Sequence, residues 1–160
     1  MLEFDGERVA RYTTSTHGKD GYITLDPTEI QEQIDHCIVK IDDAADDIAL
    51  YHSDLQEGAD TLIVSYGIIS RSAKVAVKEA RAAGKKVSDL RIQTLYPVPE
   101  TVIKDAMKGV KKVIVPEMNM GQYILEIQRL APAGVAVVGV NKMNTYLVSP
   151  TEILEKGGLK

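Results

Sequence analysis

The chain has 160 residues, 44% of them hydrophobic, and its 23 acidic against 19 basic side chains leave a formal charge of -4 at pH 7. That length supports one domain with a real core, whose folding removes roughly 70% of the unfolded surface from water. The acidic balance lacks the basic excess that holds phosphate backbones, so nucleic acid is not an expected partner.

A single cysteine, Cys37, excludes an internal disulfide, a four-thiolate cluster site and a Cys-x-x-Cys redox pair. The N-terminus has no basic head followed by an apolar run, and no apolar stretch approaches bilayer length. A cytoplasmic chain with no membrane partner is expected.

Residues 1–25 are rich in glycine and threonine, and Thr13 to Gly21 is the most loop-like part. They carry too little apolar periodicity for a core, so they are expected to form an arm whose order depends on contact with something else. Asp26-Pro27-Thr28-Glu29 then starts a helix, with a cap, a proline at the first position and the glutamate of a capping box. Ile30, Ile34, Cys37, Ile38, Ile41, Ala45 and Ile48 recur at steps of three and four. The spacing predicts a helix running to about Tyr51, with Cys37 as a core thiol on its apolar side.

After Gly58 the pattern becomes strand, helix, strand, helix. Strands are predicted at 62–65, 90–95, 113–115 and 135–140, and helices at 69–83, 100–108 and 122–130. The first strand is apolar without alternation, as when helices cover both its faces. Ala73, Ala76, Val77 and Ala80 form a narrow stripe that lets their helix approach the sheet closely, and Gly84 is its stop signal. Asn141 to Tyr146 read as a turn into a short edge strand, and Ser149-Pro150-Thr151-Glu152 starts a last helix ending at Gly157-Gly158. Right-handed crossovers between such strands make a three-layer α/β fold around a parallel sheet.

Chemistry is less legible. There is no Gly-x-Gly-x-x-Gly fingerprint and no P-loop. The Gly67 to Ser72 junction, with Ser70 and Arg71, fits an anion site or a simple capped turn. Asp42, Asp43, Asp46 and Asp47 fit a hard-cation site or a solvated helix face. His17, His36 and His52 are too scattered for zinc. Glu117, Asn119 and Gln122 cluster where the third of these strands hands over to its helix, where polar groups bind a small ligand or hold a neighbouring chain. Tyr66 and Tyr96 add aromatic area to that surface. No base, nucleophile or metal ligand stands beside them, so no catalytic, cofactor-binding or metal residue is assigned. The contact candidates are Tyr66, Gly67, Ser70, Arg71, Tyr96, Glu117, Asn119 and Gln122.

Ser65-Tyr66-Gly67 with Ser70-Arg71-Ser72-Ala73, Thr94-Leu95-Tyr96-Pro97-Val98-Pro99, and Val115-Pro116-Glu117-Met118-Asn119-Met120-Gly121-Gln122 together resemble the C-terminal region of the alpha subunit of 2-oxoacid:ferredoxin oxidoreductases. The 2-oxoglutarate type is the nearest. The resemblance runs from about Arg11 to Ile153, because the His17 to Gly21 segment and the helix after it look like the stretch that joins a preceding thiamine-pyrimidine domain. It implies the transketolase C-terminal fold, a mostly parallel five-stranded sheet with one antiparallel edge strand, over residues 58–160. An arm and linking helix would occupy 1–57.

The resemblance also implies a complex that decarboxylates a 2-oxoacid on thiamine diphosphate and magnesium. Its electrons pass through iron-sulfur clusters to ferredoxin, and it forms an acyl-coenzyme A (acyl-CoA). The family's Gly-Asp-Gly type signature and its cluster cysteines are not in this chain. The implied role is therefore an organising module, silent alone, in an oligomer with a thiamine diphosphate-binding beta subunit. The alternatives are a contributor to the coenzyme A (CoA) or substrate pocket of the complex, and a free-standing small-molecule-binding module. The turn near Asn144-Thr145 lacks a glycine expected at that place.

Overall fold

Local capping sets where the first helix begins. A computed structural model gives the fold, describing Gly6 and residues 15–160; the rest of the expected arm lies outside the described residues. The chain divides into two compact units, Met1–Ala44 and Ala45–Lys160.

In the first unit, His17 and Ile23 form an antiparallel bridge that closes a turn in which the Gly18 amide donates to the Tyr22 carbonyl at 2.8 Å. Helix α1 (Pro27–Asp43) starts where expected, because Asp26 Oδ1 accepts the amides of Thr28 at 2.8 Å and Glu29 at 3.2 Å. It ends earlier than expected, at Asp43, and a short helix α2 (Ala45–Ile48) opens the second unit. Asp42 and Asp43 at the C-terminus of α1 oppose the helix dipole, which favours cations there. Cys37 is exposed, not a core thiol, and α1 buries no side chain. Apolar spacing defines a helix face but not what covers it.

The second unit is built on one sheet of five strands in the order β1-β3-β2-β4-β5. These are β1 (Tyr51–Asp54), β2 (Thr61–Tyr66), β3 (Val87–Ile92), β4 (Lys112–Glu117) and β5 (Ala136–Asn141). The strands from β2 to β5 run parallel, and β1 pairs antiparallel with β3, Tyr51 opposite Ile92 and Asp54 opposite Asp89. Fold class and antiparallel edge agree with the expectation. The position of that edge does not: it is β1, which begins where the long helix was expected to end, whereas residues 142–149 form no strand. All four β1 residues are exposed, so β1 carries no burial pattern that the sequence could display.

Helices α3 (Ser70–Ala82) and α6 (Pro150–Lys156) cover one face of the sheet, and α4 (Glu100–Ala106) and α5 (Ile124–Leu130) the other. Leu62, Ile63 and Val64 of β2 are fully buried, which is why that strand reads as a continuous apolar run. Each such side chain contributes about 1.5–3 kcal/mol by leaving water. The alanine stripe of α3 is buried as expected. Gly84, at φ +79°, ends α3 in a Schellman turn in which the Lys85 amide donates to the Ala80 carbonyl at 3.0 Å. This tight stop brings the chain back early, so β3 begins at Val87 instead of about residue 90. Asp89 and Arg91 within β3 masked its apolar pattern.

Candidate functional site at the strand ends

The chain leaves β2 through α3 toward β3 on one side and leaves β4 through α5 toward β5 on the other. The crevice between the C-terminal ends of β2 and β4 is therefore the switch point at which open α/β sheets gather ligands. Tyr66 ends β2 and Glu117 ends β4.

Glu117 is fully buried. Its Oε1 accepts from Tyr66 OH at 2.8 Å, Asn119 Nδ2 at 3.2 Å and the Tyr123 amide at 2.9 Å, and its Oε2 accepts from the Ile124 amide at 3.1 Å. No side chain caps α5 from its own N-cap position, so the carboxylate from β4 takes over that task. Asn119 Nδ2 also donates to Tyr66 OH at 2.8 Å, while its Oδ1 accepts the amides of Gly121 at 2.7 Å and Gln122 at 3.1 Å. The loop is tight: Gly121 has φ +90°, and a Cβ there would stand 2.5 Å from Asn141 Nδ2. The Glu117 carboxylate at this crevice is thus engaged by the chain's own polar network, which can fix a loop but offers no free carboxylate.

The rings of Tyr66 and Tyr123 lie 5.3 Å apart, tilted by 58°. Burial, with Glu117 adding to it, pushes the Tyr66 phenol up to about 12. Burial, with Glu126 and Tyr66 adding to it, pushes Tyr123 up to about 12. Both phenols therefore act as neutral groups at ordinary pH.

The remaining candidates lie apart from this network. Ser70 Oγ accepts from Ser65 Oγ at 3.1 Å, and Tyr66, Gly67 and Ser70 line an open cavity of about 360 Å³ together with Arg91 and Gln93. Arg71 is exposed and does not line that cavity, while Tyr96, joined to Pro97 by a cis peptide bond, is 77% exposed. Gln122 is exposed and enters the loop through its backbone, its amide donating to Asn119 Oδ1 and its carbonyl accepting the Leu125 amide at 3.4 Å. The sequence reading missed Tyr123 and Arg91. A pair of charges two apart in an otherwise buried strand could have marked Arg91; nothing local marks Tyr123.

Among the described residues, no group of three or more histidine, cysteine or acidic side chains could hold a metal ion. Nor is any described helix long and apolar enough to cross a membrane.

Five strands in this order with a single antiparallel edge define a transketolase C-terminal-like α/β module. The same architecture occurs in a split-gene transketolase solved as an inactive beta4 tetramer, with a TM-score of 0.51 at 23% identity over 68% of this chain and 38% of that one. The family model for pyruvate:ferredoxin oxidoreductase core domain II matches residues 59–153, and the chain belongs to that family. It is 36% identical over 153 residues to the 2-oxoglutarate synthase subunit KorA of Methanothermobacter marburgensis, covering 95% of this chain and 40% of that relative. It also superposes, with a TM-score of 0.77 at 22% identity, on a 2-oxoglutarate:ferredoxin oxidoreductase from Magnetococcus marinus solved with 2-oxoglutarate, coenzyme A and succinyl-CoA bound, over 97% of this chain and 27% of that one. The chain thus spans about two fifths of the length of the KorA relative.

Proposed function

We propose that this chain is an organising, partner-binding module in the alpha subunit of a thiamine diphosphate-dependent 2-oxoacid:ferredoxin oxidoreductase, the 2-oxoglutarate type being favoured by its likeness to KorA. Other subunits or domains, a thiamine diphosphate-binding beta subunit among them, supply the cofactor, magnesium and iron-sulfur clusters. The complex oxidatively decarboxylates a 2-oxoacid to an acyl-CoA and reduces ferredoxin. The arm and linking helix of residues 1–57 precede the module in this scheme.

The observation that carries the reading is Glu117: the one acidic group at the switch point spends both carboxylate oxygens inside the chain. A module whose switch-point carboxylate is held by its own groups suits bracing better than chemistry. Calorimetry of the chain with thiamine diphosphate and magnesium is expected to give no measurable binding, and micromolar affinity would contradict the proposal. In a reconstituted enzyme, substitution of Glu117 or Asn119 is expected to weaken assembly. A changed KM for one substrate with intact assembly would favour a contribution to the CoA or substrate pocket instead.

A further inference from the structure

The four loops that leave the parallel strands are nearly free of charge. Across residues 66–72, 93–99, 117–123 and 141–149 the charged side chains are Arg71, Glu117 and Lys142, in a chain that is 26% charged. Two of these are used internally. Glu117 is buried, and Lys142 Nζ stands 3.0 Å from each carboxylate oxygen of Glu152. What the loops present instead is Tyr96 at 77% exposure, Met120 at 83%, Met143 at 74% and Tyr146 at 73%. Loss of charge with enrichment in tyrosine and methionine is the composition of an interface core, and an exposed apolar set of this kind marks a contact surface.

Beside the exposed Arg71 and the neutral polar side chains of Gln122, Asn141 and Asn144, the rim holds a polar cavity lined by Ser70, Arg91 and Gln93 next to Leu95. The Nε of Arg91 lies 3.1 Å from Asp89 Oδ2 as an ion pair without a hydrogen bond, and its guanidinium makes no side-chain hydrogen bond among the described residues. Asp89 is almost wholly buried beneath it. A guanidinium that lines a cavity with an ion-pair neighbour but no hydrogen bond matches a carboxylate, which it can hold through its terminal nitrogens.

We propose that the rim docks another protein surface of the oxidoreductase, apolar and poor in charge, carrying one carboxylate that enters this cavity and pairs with Arg91. The inference rests on the module reading and specifies the partner's chemistry. A second copy of the rim does not fit, because its only acidic residue is Glu117, which is buried and saturated. A free small carboxylate would fill the cavity but leave Tyr96 and Met120 bare.

The test uses the chain coexpressed with the companion subunit that carries the thiamine signature, with affinity read by sedimentation. Gln93 is exposed and its side chain is free of the Asp89–Arg91 pair, so Gln93→Glu leaves the fold intact while placing a like charge in the cavity. It is expected to weaken the complex at least about tenfold, a loss that shrinks when ionic strength rises. Tyr96→Ser is expected to weaken it by at least about tenfold at any ionic strength. Wild-type affinity in both variants overturns the docking proposal and leaves the module reading standing. A dimer of the chain alone that Tyr96→Ser dissolves gives the rim to a second copy, and saturable acetate or succinate binding abolished by Gln93→Glu gives the cavity to a free carboxylate; either result overturns the proposal. Failure of the wild-type subunits to associate at all overturns the module reading as well.

Discussion

A carboxylate is costly to bury unless its lone pairs are filled, and Glu117 meets that condition with donors from a phenol, an amide side chain and two backbone groups. Glu117→Ala is therefore expected to cost about 3 kcal/mol in urea unfolding, since it strands several of these donors at once; an unchanged midpoint would mean that they find other partners. The two phenols give the same cluster a pH signature. Their folded values, raised from 10.0 to about 12, lie above those of the unfolded chain, so the stabilisation is complete below pH 10 and is lost as pH rises toward about 12. Unfolding free energies measured across that window should fall, and fall less in Tyr66→Phe. Thr145 is a different case. It holds φ +69° in an exposed turn, a conformation disfavoured for a β-branched residue, at the place where the sequence lacks an expected glycine. Thr145→Gly should raise stability by about 1 kcal/mol in the same assay, the backbone relief exceeding the added chain entropy. The polar types at 117 and 119 were legible as a cluster in the sequence, but their partners were not. Tyr66 reaches Glu117 and the Tyr123 ring only through the sheet order.

At the scale of elements, the capping chemistry was the most legible. Ser149 accepts the Glu152 amide at 3.1 Å, and Glu152 accepts the Ser149 amide at 2.8 Å in return, as its spacing implied. The Ser149 amide, with Lys142 beside it, holds the Glu152 carboxyl at about 2, below its usual 4.5. A depressed carboxyl contributes stability above its unfolded value and loses it as pH falls from about 4.5 toward 2. Carbon-detected NMR titration should find Glu152 still ionised near pH 3, about one unit above its midpoint. Titration at an ordinary value would dissolve the box. Ser149→Ala should cost about 1 kcal/mol. Strands with buried apolar faces, such as β2 and β4, could be read directly. β1 could not, because an exposed four-residue edge has no alternation to display, and it joins the sheet only through its pairing with β3. The periodicity that suggested one long helix to about Tyr51 persisted past the aspartates that end α1, so period alone misplaced the boundary.

At the scale of the whole molecule, the sheet order follows from alternating strands and helices with short connections, and it puts every parallel strand end on one rim. The family assignment agrees with this architecture, with residues 59–153 taking in the four parallel strands, from just before β2 to the first turn of α6, and leaving out the edge strand β1. Nothing local in the sequence could reveal that the carboxylate at the switch point is engaged within the chain, because that depends on Tyr66 and Glu117 meeting across adjacent strands. In the proposed function this chain braces an enzyme whose reactive groups come from its companions. The most direct test is turnover by the purified 160-residue chain given 2-oxoglutarate, CoA, thiamine diphosphate, magnesium and an electron acceptor. No acyl-CoA is expected until the preceding pyrimidine domain and the thiamine- and cluster-bearing subunits are supplied; acyl-CoA formed by the chain alone would contradict this.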